Sequence, residues 1–190
     1  MKIGVLGMQG DIREHVQALE RLGCETIVVK KSEDLEKIDG LVIPGGESTT
    51  ITRLMKLTGI WSKLKDMASN GFPIFGTCAG LIVLAKEIAN APDQETLELL
   101  DVTVERNGYG RQIDSFEAEL EVEGFDLPVK GVFIRAPIIT SVGNGVNVLS
   151  SYRGNPVLVA QGKILAATFH PELVDGESRI HKLFIDMVNS

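Results

Sequence analysis

The segment PIFGTCAGLIVLA (73–85) puts a cysteine between an apolar strand and an apolar helix. The pattern Gly-x-Cys-x-Gly around Cys78 is typical of a sharp strand-to-helix turn, because only small residues fit beside a nucleophile held at its tip. A helix that begins near Ala79 would direct its N-terminal N–H groups at the sulfur and favour the reactive thiolate. Cys78 could instead be a small buried hydrophobe, since free cysteine is often buried. The segment therefore predicts an α/β fold with a candidate nucleophile at one strand end.

Short apolar strands and helices alternate through the first 90 residues or so. The predicted strands are 2–7, 25–30, 40–46 and 71–76, and the predicted helices are 11–23, 32–38 and a stretch around 54–64. The first helix carries apolar residues at helical spacing, with Asp11 as a candidate N-cap and Gly23 as its C-terminal stop. Strands joined by helices of this length form right-handed βαβ units in a parallel sheet.

The second half, from about residue 96, consists mainly of strand-like segments separated by Gly, Pro or Asn. Antiparallel pairs at the edge of a parallel sheet fit this pattern, and the segment 176–190 closes the chain as a helix. We therefore expect residues 1–190 to form a single α/β domain with three layers. Its central sheet is mostly parallel and flanked by helices, with antiparallel strands in the second half, as in flavodoxin-like folds.

Composition and charge exclude several classes of function. The chain has 190 residues and a net charge of −7, from 19 basic and 26 acidic side chains. This balance, without a local basic run, argues against nucleic-acid binding. No apolar stretch reaches the ~18 residues that a bilayer span needs, and the N-terminus resembles a strand more than an export signal. Cys24 and Cys78 form no CxxC motif, so neither a zinc site nor a disulfide framework is indicated, and we expect a cytoplasmic protein.

A cysteine nucleophile needs a base, and three histidines are available. His15 and His181 lie on predicted helices and are expected to be half-exposed surface residues. His170 follows the strand KILAATF and precedes Pro171 and Glu172, so it is expected at the same edge of the sheet as Cys78. Glu172 could fix the tautomer of the imidazole and stabilise its cation. A turn histidine beside a solvated glutamate is the alternative interpretation.

The glycine-rich segment PGGEST (44–49) follows another strand. Acyl transfer needs N–H donors for the developing oxyanion, and Ala79, directly after the candidate nucleophile, supplies one. Gly46 can supply a second, because a residue without Cβ allows close approach of its backbone. A phosphate-binding loop is disfavoured by the missing lysine and the spacing, whereas a simple tight turn remains an alternative.

Together, PGGES, GTCAG and FHPE resemble the class I, or triad, glutamine amidotransferases. The resemblance spans nearly the whole chain and is most specific for glutaminase subunits of pyridoxal 5′-phosphate synthases. It includes the segments GMQGDIREH (7–15), PGGEST (44–49), GTCAGL (76–81), RNGYGRQIDSFE (106–117), FIRAP (133–137) and TFHPEL (168–173). GTCAG and HPE are shared across the superfamily, so RNGYGRQ and FIRAP are the discriminating segments.

The resemblance implies that Cys78 is the nucleophile, His170 the general base and then acid, and Glu172 its orienting partner. It implies glutamine contacts at Gly46, Glu47, Ser48, Arg106, Ile134 and Arg135. The arginines are chemically sensible, since a guanidinium pairs with the α-carboxylate of a free amino acid. No metal or organic cofactor is expected. The implied partner is a separate synthase subunit that consumes the ammonia, and Gln9, near the same edge of the sheet, could contact it.

Other functions remain open at the level of sequence. The chain could be an amidotransferase subunit of the histidine, tryptophan or purine pathway, which RNGYGRQ and FIRAP disfavour. Cys78 could also be a redox-sensing thiol on a flavodoxin-like scaffold, a function that needs neither Glu172 nor the two arginines. A binding module without catalysis is least favoured, because all three residue types of a triad are present.

Overall fold

Helices and strands alternate in the first half of the chain, and strands dominate the second. The computed structural model describes residues 1–109 and 115–190. Its strands are β1 (Lys2–Leu6), β2 (Glu25–Val29), β3 (Gly40–Ile43), β4 (Ile74–Thr77), β5 (Ala85–Ile88), β6 (Leu100–Glu105), β7 (Ser115–Leu120), β8 (Val129–Ile134), β9 (Ile138–Val142), β10 (Asn147–Tyr152), β11 (Asn155–Gln161) and β12 (Ile164–Ala167). Its helices are α1 (Ile12–Arg21), α2 (Ser48–Leu57), α3 (Ile60–Ser69), α4 (Ala79–Leu84) and α5 (Arg179–Asn189), with short 3₁₀ helices at Ser32–Lys37 and Pro171–Leu173.

The central sheet has the strand order β10-β11-β12-β4-β3-β1-β2. The strands from β12 to β2 are parallel, and β11 and β10 continue the sheet in antiparallel fashion. This confirms the predicted fold class. The chain order reverses between β1 and β3, and ligands of such sheets bind beyond the carboxyl ends of the strands at this switch point.

The remaining strands form small sheets apart from the central one, in the orders β5-β6-β9 and β7-β8. The sequence predicts antiparallel pairs at the edge of the parallel sheet; β10 and β11 take that place, but β6 to β9 do not. Buried and less buried residues alternate along β6 and β8. Each of these strands therefore has one apolar face to bury, and packing that face against the body of the protein satisfies it without extending the sheet.

Helices cover both faces of the central sheet, which gives the expected three layers. On one face, Ile51 of α2 and Leu64 of α3 are buried with Leu41 and Ile43 of β3. On the other face, residues of α1 and α5, such as Leu19 and Phe184, are buried with Ile3 and Val42 of the sheet, together with residues of the β7-β8 hairpin. Neighbouring residues of β3 thus face opposite layers, as a strand requires.

Two glycines allow α4 to pack directly on the sheet. A Cβ at Gly80 would lie 2.0 Å from the carbonyl oxygen of Ile43 in β3, and one at Gly76 would lie 2.7 Å from the carbonyl carbon of Gly80. The small residues on both sides of Cys78 are therefore required by close backbone packing. This packing fixes the start of α4 at the carboxyl edge of the sheet.

Candidate active site

Cys78 occupies the turn between β4 and α4 in a strained backbone conformation. Its φ is +47° and its ψ −103°, values that a residue with a side chain rarely adopts. The N–H of Cys78 donates to the carbonyl of Ala167 in β12 at 2.9 Å, which holds the turn against the neighbouring strand. Ala79 is the first residue of α4, so its N–H has no partner within the helix and is available to a ligand.

His170 lies beside this thiol, three residues beyond the end of β12. Both side chains line the same pocket, and the thiol is one of the groups that raise the pKa of His170. The N–H of His170 donates to the carbonyl of Val132 at 2.8 Å. Nδ1 lies 2.8 Å from Oε1 of Glu172 and 3.2 Å from Oδ2 of Asp11. Because both carboxylates face Nδ1, Nε2 is the nitrogen left for the sulfur. The structure thus brings Cys78, His170 and Glu172 together in that order.

The charged forms of His170 and Glu172 stabilise each other. Burial alone would lower the pKa of His170, but the hydrogen bonds with Asp11, Cys78 and Glu172 raise it to about 12. Burial alone would raise the pKa of Glu172, but the nearby His15 and His170 hold it well below its usual range. The site therefore keeps a cationic imidazole, paired with a buried carboxylate, next to the thiol.

Asp11 is the residue of this group that the sequence analysis did not place in the site. It precedes α1 as predicted, but its side chain makes no capping hydrogen bond to the helix. Its carboxylate instead faces Nδ1 of His170. A capping residue and a residue of the site have the same sequence signature here, so the pattern alone could not separate them.

A pocket of about 380 Å³ opens in front of the thiol and the imidazole. This volume suits a small-molecule ligand. The sequence-predicted residues that line it are Gly46, Glu47, Ser48, Cys78, Ala79, Arg106, Ile134, Arg135 and His170. Glu172 is buried behind His170. Residues 110–114, which belong to the discriminating segment RNGYGRQIDSFE, lie outside the described residues.

The carboxylate of Glu47 caps α2. It accepts hydrogen bonds from the backbone N–H groups of Thr49 and Thr50, at 3.1 and 2.8 Å, and from their hydroxyls. Burial opposes ionisation, but these hydrogen bonds lower the pKa of Glu47 to about 2. The side chain is therefore an anion that both starts the helix and faces the pocket.

Arg106 is held in place by side chains from two other segments. Its Nη2 lies 3.5 Å from Oε1 of Glu47, and its Nη1 donates to Oε1 of Gln94 at 2.8 Å. Gln94 in turn donates to the hydroxyl of Ser48 at 2.9 Å. Sequence reasoning missed Gln94, because it lies in a loop without a motif. One amide thus connects Arg106 with the glycine-rich loop.

The loops after β1 and β3 are in direct contact. Oε1 of Gln9 accepts from the N–H of Glu47 at 2.5 Å. A Cβ at Gly10 would lie 1.6 Å from the carbonyl oxygen of Gly45, and one at Gly45 would lie 2.3 Å from Cε1 of His170. Backbone and imidazole are therefore packed so closely that neither glycine has room for a side chain.

His15 and His181 are not half-exposed, as predicted, but fully buried with 0% exposure. The prediction is wrong because α1 and α5 lie side by side on the sheet, and the faces that carry the two histidines are turned inward. Nδ1 of His15 lies 2.9 Å from Nε2 of His181, and Nε2 of His15 lies 3.4 Å from Oε1 of Glu172. Both histidines therefore belong to the surroundings of the site.

Comparison with known proteins identifies the family of this chain. The profile of the SNO glutamine amidotransferase family matches residues 5–190. The chain belongs to the SNO glutamine amidotransferase family. Among its relatives, the pyridoxal 5′-phosphate synthase subunit PdxT of Kosmotoga olearia is 55% identical over 97% of this chain and 96% of its own. The same subunit of Thermosipho africanus is 53% identical over 99% of both chains.

A solved structure extends the comparison to three dimensions. The crystal structure of a glutamine amidotransferase superposes with a TM-score of 0.94 at 49% identity, over 99% of both chains. In the part of this SNO family member that the structure describes, no helix combines the length and apolar character that crossing a bilayer requires.

For this SNO family member we expect the free energy of unfolding to be greatest near pH 6.5. Burial lowers the pKa of His181 from its ordinary value of 6.5 to about 3. Below pH 6.5 the unfolded state therefore binds a proton that the native state does not, and the free energy of unfolding decreases as the pH decreases. The pKa of His170 is raised to about 12, so above 6.5 the native state retains a proton that the unfolded state loses, and stability falls as pH rises. Glu172, with its lowered pKa, adds a loss below about 4.5.

Urea unfolding followed by circular dichroism over a pH series measures this profile. The variant His181→Gln should flatten the acid limb, and His170→Gln the alkaline limb. A free energy of unfolding that rises steadily from pH 6.5 to about pH 9 would contradict the assignment of His170 as a native-state cation.

Proposed function

We propose that this chain is the glutaminase subunit of a pyridoxal 5′-phosphate synthase and acts in the cytoplasm. It hydrolyses L-glutamine to L-glutamate and ammonia through a cysteinyl thioester, and residues 1–190 form one glutaminase domain. The proposal depends on the spatial arrangement of Cys78, His170 and Glu172 beside the pocket. It is supported by relatives that are named as synthase subunits and match over nearly the whole chain.

The first half of the reaction is acylation of Cys78. The thiolate attacks the side-chain amide carbon of glutamine, and the tetrahedral oxyanion accepts hydrogen bonds from the N–H groups of Ala79 and Gly46. His170 then protonates the amide nitrogen, the C–N bond breaks and ammonia leaves. The product on the enzyme is a thioester between Cys78 and the γ-carbonyl of glutamate.

The second half is hydrolysis of this thioester. His170, now neutral, takes a proton from water, and the resulting hydroxide attacks the thioester carbon. The C–S bond breaks, glutamate leaves and the Cys78 thiolate is restored beside the imidazolium. Glu172 holds the imidazole in one orientation throughout, so the same nitrogen serves as acid and then as base.

The substrate is held by the rim of the pocket. Arg106 and Arg135 offer guanidinium groups to the α-carboxylate of glutamine. Glu47, Ser48 and Ile134 complete the contacts. Because Gln94 and Glu47 already fix the guanidinium of Arg106, little side-chain entropy remains to be lost when the substrate binds.

Ammonia released into water is mostly protonated, so we propose that it passes to a synthase subunit on a second chain. We expect glutaminase activity to be low in the isolated protein and to rise by about 10²-fold or more with the synthase subunit, because docking sets the oxyanion loop at Gly45–Gly46. Gln9 and Gly10, which touch this loop, are the residues through which docking can act.

Steady-state glutamate release, measured with and without the synthase subunit, tests this expectation. Equal rates in the two assays would contradict activation by docking. Glutamate release in neither assay would contradict the proposed function itself. Rescue of a strain that requires vitamin B6 distinguishes this pathway from that of other amidotransferases.

A further inference from the structure

Two fully buried histidines lie directly behind the triad, and the mechanism above does not use them. His15 is on α1, His181 is on α5, and neither has any exposed surface. Their rings lie edge-on to Phe75, with centroids 6.3 and 5.8 Å from its own. Imidazoles are seldom buried without hydrogen-bond partners, so the partners of His15 and His181 indicate the role of the two side chains.

His15 connects the strand of the nucleophile with the carboxylate of the triad. Its Nε2 lies 3.1 Å from the hydroxyl oxygen of Thr77, the residue before Cys78, and 3.4 Å from Oε1 of Glu172. An ionised carboxylate only accepts hydrogen bonds, so Nε2 of His15 must carry a proton. Nδ1 of His15 lies 2.9 Å from Nε2 of His181, so the direction of this hydrogen bond depends on which of the two nitrogens carries the proton.

The second nitrogen of His181 indicates this direction. Among the described residues, Nδ1 of His181 has no hydrogen-bond partner. A buried lone pair without a partner costs less than a buried N–H without one, so the proton of His181 belongs on Nε2. Burial lowers the pKa of His181 to about 3, so the ring is neutral. All protons of the chain His181–His15–Glu172 thus point towards the carboxylate.

The carboxylate of Glu172 depends on His15 for its orientation. In the described part of the protein, Oε2 of Glu172 is buried without a hydrogen-bond partner, so both His15 and His170 act on Oε1. With His15 removed, the single bond from His170 would leave the carboxylate free to rotate. The imidazole would then follow it away from the sulfur.

We propose that His15, itself oriented by His181, is a positioning residue for glutamine hydrolysis, because its Nε2–H fixes Glu172 and thereby His170. This inference rests on the proposed function. The charged groups that act on the histidine pair are Glu172 on the triad side and Arg21 at the end of α1, and Glu172 in turn contacts His170, which lies beside Asp11.

The variants His15→Phe and His15→Gln separate positioning from space filling. Phenylalanine fills the cavity without a hydrogen-bond donor, and we expect kcat to fall by about 10- to 100-fold, since hydrogen bonds to charged groups are worth this much. KM should change little, because His15 does not line the pocket. Glutamine keeps a donor and an acceptor and should restore most of kcat.

A matched control excludes an effect of stability alone. Leu19→Val removes one methylene from a buried residue of the same helix, one turn further on, and should reduce stability but not kcat. His181→Phe should lower kcat less than His15→Phe, and the double variant should be no worse than His15→Phe, since His181 acts through His15. Equal kcat in wild type and His15→Phe, or additive losses in the double variant, would overturn the inference.

A measurement on the unmodified protein decides the matter even if the variants fail to fold. Two-dimensional ¹H–¹⁵N correlation of the imidazole nitrogens should show a protonated Nε2 on both His15 and His181 between about pH 5 and 8, with His181 neutral. A bare Nε2 on His15, or a cationic His181, would overturn the inference whether or not the protein hydrolyses glutamine. Absence of glutaminase activity in the wild type would count against the proposed function alone.

Discussion

The variant Cys78→Ala should lose glutamine hydrolysis by about 10⁴-fold or more and still fold, because no other group can form the thioester. Cys78 is 7% exposed, and within residues 1–109 and 115–190 its thiol makes one weak hydrogen bond, to the carbonyl of Ile134 at 3.9 Å. Alanine occupies the turn with one atom fewer and leaves α4 and β4 unchanged. Glutamate release in the presence of the synthase subunit measures the loss, and far-UV circular dichroism measures the fold.

The second cysteine provides the control for this variant. Cys24 is half-buried before β2, away from the pocket, so Cys24→Ala should hydrolyse glutamine at the wild-type rate. A glutamine-like electrophile should label the wild type and Cys24→Ala but not Cys78→Ala. Turnover by Cys78→Ala within about tenfold of the wild type would show that the nucleophile lies elsewhere.

Glu172→Gln should lower kcat by about 10³- to 10⁴-fold, with little change in the shape of the site. The amide of glutamine can donate to Nδ1 of His170, which then carries its proton on Nε2. In that tautomer the imidazole cannot accept a proton from Cys78. The buried His15 would also lose the anion towards which its Nε2–H points. The measurement is again kcat for glutamate release with the synthase subunit.

Glu177→Gln is the matched control for this charge. Glu177 is a partly buried acid of the same segment, but it pairs with Arg179 at the start of α5 and does not line the pocket. Its loss should leave kcat unchanged. A drop of less than about tenfold in Glu172→Gln would mean that the carboxylate does not control the tautomer of His170.

The sequence predicts the architecture well where local patterns and packing agree. Gly-x-Cys-x-Gly after an apolar strand predicts the turn at Cys78, and backbone contacts at Gly76 and Gly80 show why. Alternating strands and helices predict the parallel sheet. In the second half, alternation indicates strands but not their partners, because the pairing of β6 with β9 depends on contacts across the fold.

The surroundings of the site were harder to predict, since they depend on how helices pack. His15 and His181 look like surface residues on their own helices and are buried because these faces of α1 and α5 pack against each other and against β4. Asp11 looks like a helix cap, and Gln94 belongs to no pattern. In each case the decisive partner is distant in sequence, so only the folded chain reveals it.

The insertion of β12 beside β4 also determines when, during synthesis, the reactive centre is completed. The ribosome synthesises β4 and the thiol that follows it early, whereas β12, the last of the described strands, emerges about 90 residues later with the imidazole just after it. Folding of the N-terminal part can begin before then. A nascent chain therefore carries a thiol without its base until residue 170 has been synthesised, and products truncated before this residue release no ammonia.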